Sequence, residues 1–320
     1  MKKFPSIILS TILIAALIFT TGCWQANKTT PIQVRIGTQY GFNWTPIMIM
    51  QQQKLVEKYL PNSVVNYDIL TTAAAMNEGL IAGRLQAAGL GTSSFLTGWE
   101  KAGTKIICGV DSADFGLVTS KPYINSLKDF KTDDKIAVPG MNSMQHIILS
   151  MNAKKELGDP HAMDSRLTFL ANPDGYSAFA GGSIAAHYAT SPYRFQEQKL
   201  PGAHEITKAS DVLGKDWTAS LLVGPSNLDP KIRAALQSAM KDAMTFIENN
   251  PKEASAIIAP LFKMTPEETE LYINKDIKWS QNVYSLYSLA DYMKSANLIK
   301  KVPAGFQDII WDKSLLQESK

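Results

Sequence analysis

Residues 33–62 read QVRIGTQYGFNWTPIMIMQQQKLVEKYLPN, and this stretch indicates the fold class. Gln33 to Gly37 alternates apolar and polar side chains, as a half-buried strand does. After the loop 38–44, Thr45-Pro46 predicts a helix with Thr45 as N-cap and proline in the first helical position. The helix is expected to continue to the stop signal Pro61-Asn62. A strand, a polar loop and a helix therefore open the folded part of the chain.

Strands and helices go on alternating after this opening. Further strands are predicted at 64–70, 85–90, 105–110 and 115–119, with helices at 73–81 and 95–101 between them. This alternation predicts an α/β chain with a mostly parallel sheet. A second block has strands at 135–138, 167–170, 184–189 and 204–208 and a helix at 144–157. The strand 218–223 is expected back in the first block, and the C-terminal part after residue 230 is predicted to be helical.

The N-terminus predicts export. Lys2 and Lys3 precede an apolar run over residues 7–19, and small residues follow up to Gly22. The run is shorter than the roughly 20 residues of a membrane span, although a single anchoring helix is the alternative. The segment resembles a bacterial lipoprotein signal over residues 1–22, with threonine where leucine is usual. That resemblance implies acylation of Cys23, with residues 23–32 as a tether.

Composition excludes several classes of function. The chain has 320 residues and a formal net charge of +3, which falls to +1 without Lys2 and Lys3, so no basic field favours nucleic acid. About 300 mature residues are enough for two domains. Cys108 is the one other cysteine, so no intramolecular disulfide is expected after lipidation, and no zinc or other metal motif is present in the sequence. Its apolar surroundings predict a buried strand residue.

Four segments in order resemble the taurine, alkanesulfonate, nitrate and thiamine-precursor class of ABC transporter solute-binding proteins. They are Gly37 to Leu60, Glu78 to Ala88 (EGLIAGRLQAA), SLKDF at 126–130 with KIAV at 135–138, and NPKEA at 250–254. Gln86 departs from the class, where an acidic residue is usual. Phe130 replaces leucine and Thr132 replaces glycine, which changes the expected turn.

The resemblance implies a two-lobed periplasmic-binding-protein-like fold of type II that closes on a small molecule. Lobe I would comprise residues 33–119 and 218–320, and lobe II residues 120–217. The implied partners are an ABC permease and its ATPase, with the protein lipid-anchored at the outer face of the cytoplasmic membrane or in the periplasm. A monomer without a cofactor is expected.

Ligands of open α/β sheets bind beyond the carboxyl ends of strands, near helix N-termini. The loops that qualify are 39–44, 91–94, 111–115, 140–145 and 188–192. The side chains predicted to contact the ligand are Gln39, Tyr40, Phe42, Asn43, Trp44, Thr92, Ser93, Ser94, Asp114, Phe115, Asn142, Ser143, Gln145, Tyr188 and Thr190.

Most of these side chains are neutral hydrogen-bonding groups, and the aromatic ones supply apolar walls. Backbone N–H groups near Thr45, Ser94 and Ser143 are suited to an anion, and Asp114 to an amine. The set favours a sulfonate of the taurine type. An uncharged aminopyrimidine stacked on Trp44, of the thiamine-precursor kind, is the alternative.

Structural roles compete with binding at several positions. Thr45, Ser94 and Ser143 are also good N-caps, and Asp114 is typical of a turn. Arg194 is expected to be a solvated surface residue. His146 is expected to be a partly buried structural residue.

Two other functions compete with import. The same fold hosts cytosolic enzymes of menaquinone and pyrimidine biosynthesis, but the sequence lacks a nucleophile elbow, a metal motif and a P-loop. We therefore predict a binding protein and not an enzyme. Presentation of the ligand to a receptor kinase is the second competitor.

Overall fold

Two large β-sheets and one two-stranded sheet organise the computed structural model, which describes residues 30–214 and 216–317. The predicted signal (1–22), the lipidation site Cys23 and the tether up to residue 29 lie outside the described residues. The first strand begins at Ile32, inside the end of the predicted tether. Across the described part of the chain, no helix combines the length and the apolar character that a membrane span requires.

The strands and helices follow one another closely along the chain. The strands are β1 (Ile32–Thr38), β2 (Ser63–Ile69), β3 (Ala87–Gly91), β4 (Thr104–Ala113), β5 (Gly116–Thr119), β6 (Ile136–Val138), β7 (Leu167–Phe169), β8 (Ala186–Ala189), β9 (His204–Lys208), β10 (Ser220–Pro225), β11 (Ile277–Trp279), β12 (Val283–Tyr284) and β13 (Leu316–Gln317). The α-helices are α1 (Thr45–Gln52), α2 (Leu55–Tyr59), α3 (Ala73–Ile81), α4 (Thr92–Ala102), α5 (Met144–Leu157), α6 (Asn172–Ala180), α7 (Tyr193–Gln198), α8 (Ser210–Leu213), α9 (Pro230–Asn249), α10 (Pro251–Ile258), α11 (Pro266–Asp276) and α12 (Leu286–Ser295).

The first sheet has six strands in the order β11-β4-β10-β3-β1-β2. β1 runs parallel to both β2 and β3. β10 lies between β3 and β4 and is antiparallel to both, and β11 is antiparallel to β4. The sheet is therefore mixed and not mostly parallel. The reason is that β10 returns from the second sheet and so enters the first sheet in the opposite direction.

The second sheet has five strands in the order β7-β6-β8-β5-β9. β6 is parallel to β7 and β8, whereas β5 is antiparallel to β8 and β9. The predicted boundary placed residues 116–119 with the first sheet. This assignment is corrected, because β5 forms its hydrogen bonds with strands of the second sheet and the chain therefore crosses between the sheets at 114–115.

Local sequence signals explain the bounds of most helices. Ser143 caps α5 by accepting a hydrogen bond from His146 N, and Gly158 ends it in a left-handed conformation, so the predicted helix 144–157 is confirmed. The predicted helix 45–60 is instead split into α1 and α2 at Lys54, whose φ is 50°. Thr45 lies inside α1 and not at its N-cap, and its hydroxyl donates to Phe42 O at 2.8 Å.

The apolar core covers both faces of the first sheet. One cluster joins that sheet to the C-terminal helices through residues such as Ile36, Ile107, Leu236, Ala239 and Ile247. A second cluster is shared by both sheets and includes Leu90, Phe95, Val138, Ile147 and Leu289. Cys108 is fully buried in β4, as expected, and burial raises the pKa of its thiol.

Arg194 of α7 forms ion pairs with one residue of the second sheet and with one residue that adjoins the first sheet. Its Nε and Nη2 atoms donate to the carboxylate of Glu205 on β9 at 2.5 and 2.9 Å, and Nη1 donates to Asp276 Oδ1 at 2.8 Å. Asp276 ends α11 and leads into β11 of the first sheet. The side chain of Arg194 is 7% exposed. The predicted solvated arginine is therefore wrong, because tertiary contacts surround it with carboxylates.

Replacing this arginine tests its role in holding the sheets together. Arg194→Met leaves Asp276 and Glu205 without their shared counter-ion, so the free energy of unfolding should fall by about 3–5 kcal/mol in urea denaturation. The exposed Arg84 provides a matched control, and Arg84→Met should change stability by less than about 0.5 kcal/mol. Equal stability of the two variants would contradict the assignment.

Candidate ligand-binding cavity

A cavity of about 380 Å³ lies between loops that belong to the two sheets. From the first sheet it is lined by residues after β1, by the N-terminus of α3 and by the junction of β3 with α4. From the second sheet it is lined by the loop between β6 and α5, by Phe169 and Asn172 between β7 and α6, and by Thr190 after β8. The volume suits a small organic molecule.

Nine of the side chains predicted to contact a ligand line this cavity together. They are Gln39, Tyr40, Asn43, Trp44, Ser94, Phe115, Ser143, Gln145 and Thr190. All five predicted loops thus contribute at least one lining residue, and the loops 39–44, 91–94 and 140–145 contribute two or more each. Binding by these side chains remains a proposal.

Three further predicted residues are occupied by contacts elsewhere in the fold. Phe42 is fully buried and packs edge-on against Phe262, with ring centroids 4.7 Å apart. Thr92 Oγ1 donates to Thr218 O at 2.6 Å, and Ser93 Oγ donates to Asn142 O at 2.8 Å. Their positions explain the absence of these side chains from the cavity lining.

The remaining three predicted residues also lie outside the lining. The carboxylate of Asp114 accepts hydrogen bonds from Ser210 N and Ser210 Oγ, each at 3.0 Å, so it caps α8 and does not face the cavity. Tyr188 is fully buried, and its hydroxyl accepts from Asn152 Nδ2 at 3.0 Å. Asn142 lies behind the cavity wall and its side chain donates to Leu298 O.

Several lining residues were not predicted. They are Thr71, Thr72, Ala73, Ala74, Gly91, Pro139, Gly140, Met141, Met144, Phe169, Asn172, Ala219 and Ser220. Residues 71–74 and 169–172 each connect a strand to a following helix, so the rule that selected the other loops would have found them. Ala219 precedes β10 and Ser220 begins it, and their place in the cavity follows from the antiparallel insertion of β10 between β3 and β4.

Trp44 forms one wall of the cavity and depends on a glycine behind it. The indole is 6% exposed and packs on Gly89 of β3. A Cβ atom at position 89 would lie 2.5 Å from Trp44 Cζ3, so any side chain there would push the ring out of place. Gly89 therefore sets the position of the aromatic wall.

Asn43 connects the cavity to a buried carboxylate. Its Oδ1 accepts from Thr190 Oγ1 at 2.7 Å, and its Nδ2 donates to Asp111 Oδ2 at 2.5 Å. Asp111 is 2% exposed, and burial raises its pKa to about 7, although hydrogen bonds from Ser220 and Asn43 oppose the rise. The amide thus separates Asp111 from the cavity and links β4 of the first sheet to the end of β8.

The cavity lining is uncharged and combines apolar side chains with neutral hydrogen-bonding groups. Among the described residues that line it there is no Asp, Glu, Lys, Arg or His. Five helices of eight or more residues, α1, α3, α4, α5 and α6, present residues of their first turns or N-caps to it. The first N–H groups of a helix lack intrahelical partners and carry partial positive charge. The arrangement can therefore hold an anion without a cationic side chain.

No protein-family model matches the chain, and a search of curated proteins finds no match. Solved structures do match over most of its length. The alkanesulfonate-binding protein of Xanthomonas axonopodis pv. citri, bound to MOPS, has a TM-score of 0.72 at 18% identity and covers 91% of this chain and 100% of its own. The periplasmic aliphatic sulphonate binding protein of Escherichia coli has a TM-score of 0.69 at 20% identity, with coverage of 88% and 98%.

A Candida albicans protein described as having the generic periplasmic binding protein structural fold gives a TM-score of 0.66 at 12% identity, with coverage of 87% and 95%. This chain has the periplasmic-binding-protein fold. The α/β class expected from the sequence is thereby confirmed.

Within this periplasmic-binding-protein fold, Asp111 should make stability depend on pH. Its folded pKa lies above the usual value of about 3.9, so the native state holds the proton more tightly than the unfolded chain does. The unfolding free energy of the wild type should therefore fall, relative to that of Asp111→Asn, as the pH rises from about 4 to about 7.

Urea denaturation at several pH values across this range measures the difference between the two proteins. Asp133, which is exposed, provides the control, and Asp133→Asn should show no comparable trend. If the free energy of unfolding of the wild type instead rises relative to that of Asp111→Asn as the pH rises, the burial of a protonated carboxyl is contradicted.

Proposed function

We propose that this protein is the extracytoplasmic solute-binding component of an ABC importer and captures a small organic sulfonate. One observation carries the proposal: an uncharged cavity between the two sheets, bordered by the N-termini of α1, α3, α4, α5 and α6. Helix N-termini bind tetrahedral anions through backbone amides. The fold likeness to sulfonate-binding proteins supports the same class of ligand.

The lining also refines the sulfonate class. An amine on the ligand would be buried without a carboxylate, because Asp114 caps α8 and Asp111 lies behind Asn43. Burying an unpaired ammonium group is costly. Trp44, Phe115, Met141 and Met144 offer apolar contacts instead. The favoured ligand is therefore a sulfonate with an apolar substituent, and taurine is expected to bind more weakly.

The remaining parts of the proposal concern location and partners. The N-terminal signal with Cys23 supports a lipid-anchored protein outside the cytoplasm. Residues 33–115 with 218–317 would form one lobe and 116–214 the other, and the ligand would contact both. Delivery would require a permease and its ATPase. We propose binding without chemical conversion of the ligand, and a monomer.

A second ligand class has a specific observation in its favour. The rings of Trp44 and Phe115 and the amides of Asn43 and Gln145 all line the cavity. A flat, uncharged aminopyrimidine could stack on a ring and bond to these amides. Comparison of ligands decides between the two classes.

Thermal unfolding and calorimetry with four compounds test the proposal: 1-butanesulfonate, taurine, sodium nitrate and 4-amino-5-hydroxymethyl-2-methylpyrimidine. A ligand at about a hundred times its Kd stabilises the fold by about 2.7 kcal/mol. We expect 1-butanesulfonate to raise the Tm and to bind at least about tenfold more tightly than taurine. If the pyrimidine alone raises the Tm, the second class replaces the first. If none of the four does, the binding function is wrong.

A variant pair ties any binding to the cavity. Trp44→Ala removes the aromatic wall and should weaken 1-butanesulfonate binding by at least about tenfold. Trp99 lies on α4 outside the lining residues, so Trp99→Ala should leave the affinity unchanged. Equal affinities of the two variants would place the ligand elsewhere.

A further inference from the structure

Asn142 holds one wall of the cavity from behind. It lies between Met141 and Ser143, which both line the cavity, and it has a positive φ of 59°. Its carbonyl accepts a hydrogen bond from Ser93 Oγ at 2.8 Å, and its Nδ2 donates to Leu298 O at 3.3 Å. The backbone at Asn142 therefore sets how the second-sheet wall meets α4 and the C-terminal segment.

The backbone N–H of Asn142 forms its hydrogen bond with a histidine side chain. Asn142 N donates to His146 Nδ1 at 3.0 Å, while His146 N donates to Ser143 Oγ at 3.3 Å. The pair is a reciprocal cap at the start of α5, related to the capping box. The imidazole is 1% exposed. Because Nδ1 accepts a hydrogen bond, the proton of the neutral ring must be on Nε2.

Asp164 lies beside the other ring nitrogen of His146, and His161 in turn contacts Asp164. His146 Nε2 lies 3.5 Å from Asp164 Oδ1, which favours a proton on Nε2. The other oxygen of Asp164 lies 2.8 Å from His161 Nδ1, and His161 Nε2 lies 2.7 Å from Ala296 O. Both acceptors are oxygens, so His161 donates at both nitrogens when it is protonated. The pKa of His161 is accordingly raised, first by Asp164 and then by Ala296.

We propose that His146 is a positioning residue for ligand binding, whose neutral imidazole fixes the Asn142 backbone and thereby the cavity wall at Met141 and Ser143. For ligand affinity this inference rests on the proposed function. For the conformation of residues 140–144 it stands independently. The previously expected structural role of His146 thus extends to the site.

This role makes the wall sensitive to acid. Burial lowers the pKa of His146, and Asp164 opposes that effect while His161 adds to it. A further titratable group on the side of Asp164 is Tyr292 of α12, whose hydroxyl forms a hydrogen bond with Ser150 Oγ at 2.8 Å. Protonation places a hydrogen on Nδ1, so Asn142 N–H loses its acceptor. With a folded pKa below the usual value, the contact is present at neutral pH and is lost as the pH falls through the pKa of His146.

The first test needs no ligand. Long-range ¹H–¹⁵N NMR of the folded protein at neutral pH should show His146 neutral with its proton on Nε2. A proton on Nδ1 under the same conditions would overturn the inference, because that tautomer cannot accept from Asn142 N–H.

The second test compares His146→Asn with His146→Phe. The asparagine amide oxygen can replace Nδ1 as an acceptor but does not titrate, whereas phenylalanine removes the acceptor. Amide hydrogen exchange over residues 140–144, corrected for intrinsic rates, should be roughly tenfold faster in His146→Phe than in wild type at neutral pH. In acid the wild type should lose this protection while His146→Asn keeps it. His204→Asn is the control, because His204 bonds to Ile124 O at 2.7 Å away from the cavity. Identical exchange in all four proteins would overturn the inference.

The affinity for 1-butanesulfonate provides the functional readout. It should fall on acidification in wild type and in His204→Asn but stay nearly constant in His146→Asn, and be roughly tenfold weaker in His146→Phe at neutral pH. The same pH profile in wild type and His146→Asn would overturn the role in binding. A failure of the wild type to bind this compound contradicts the proposed sulfonate function, while the exchange experiment still decides whether His146 positions the wall.

Discussion

The chain leaves the first sheet after Ala113 and returns to it at Ser220, and these two crossings lie side by side. Ser220 pairs with Asp111 where β10 enters beside β4. The rings of Phe115 and Trp217, one on each crossing, pack with their centroids 5.8 Å apart. Every loop that lines the cavity is placed by this arrangement, because it fixes which edges of the two sheets face each other.

The same arrangement explains how charge is distributed around the cavity. Arg194 is neutralised by Glu205 and Asp276 beside the crossings, and Asp111 lies beneath Asn43. The charged groups Arg194, Glu205 and Asp276 are thus paired with one another, and the buried carboxyl of Asp111 is separated from the cavity by Asn43. What faces the cavity is a set of neutral side chains and the ends of helices, whose partial charges are fixed by the backbone and do not titrate. Such a site discriminates by shape and by hydrogen-bond geometry.

Much of the fold could be predicted from the sequence because its signals are local. Ser143 and Gly158 bound α5, and alternating apolar residues mark β1, so neither needs knowledge of the rest of the chain. The sheet to which β5 belongs and the direction of β10 depend on pairing between distant segments, and periodicity does not encode that. In the same way, Arg194 and Asp114 have partners that are distant in sequence, so their side chains were assigned to solvent or to the ligand.

The candidate site shows the same contrast between features set by local sequence and features set by packing of distant segments. The strand-to-helix rule identified the loops of Asn43, Ser94 and Ser143, which the fold brings together. The rule does not state which side chain of a loop points inward, so Phe42 and Tyr188 were selected although packing buries them. Residues 71–74 and 169–172 satisfy the same rule, and their place in the lining shows that it is better applied to every strand end than to a selection.

Cys108 has a practical consequence that follows from its place in β4. Among the described residues it is the one cysteine, it is fully buried, and it lies next to Gly109, whose N–H donates to Gln281 O at 2.7 Å. A thiol reagent reacts with an exposed thiolate, and neither exposure nor ionisation is available while the sheet is intact. The rate at which Cys108 is alkylated therefore measures how often the first sheet opens, and the measurement requires no engineered label.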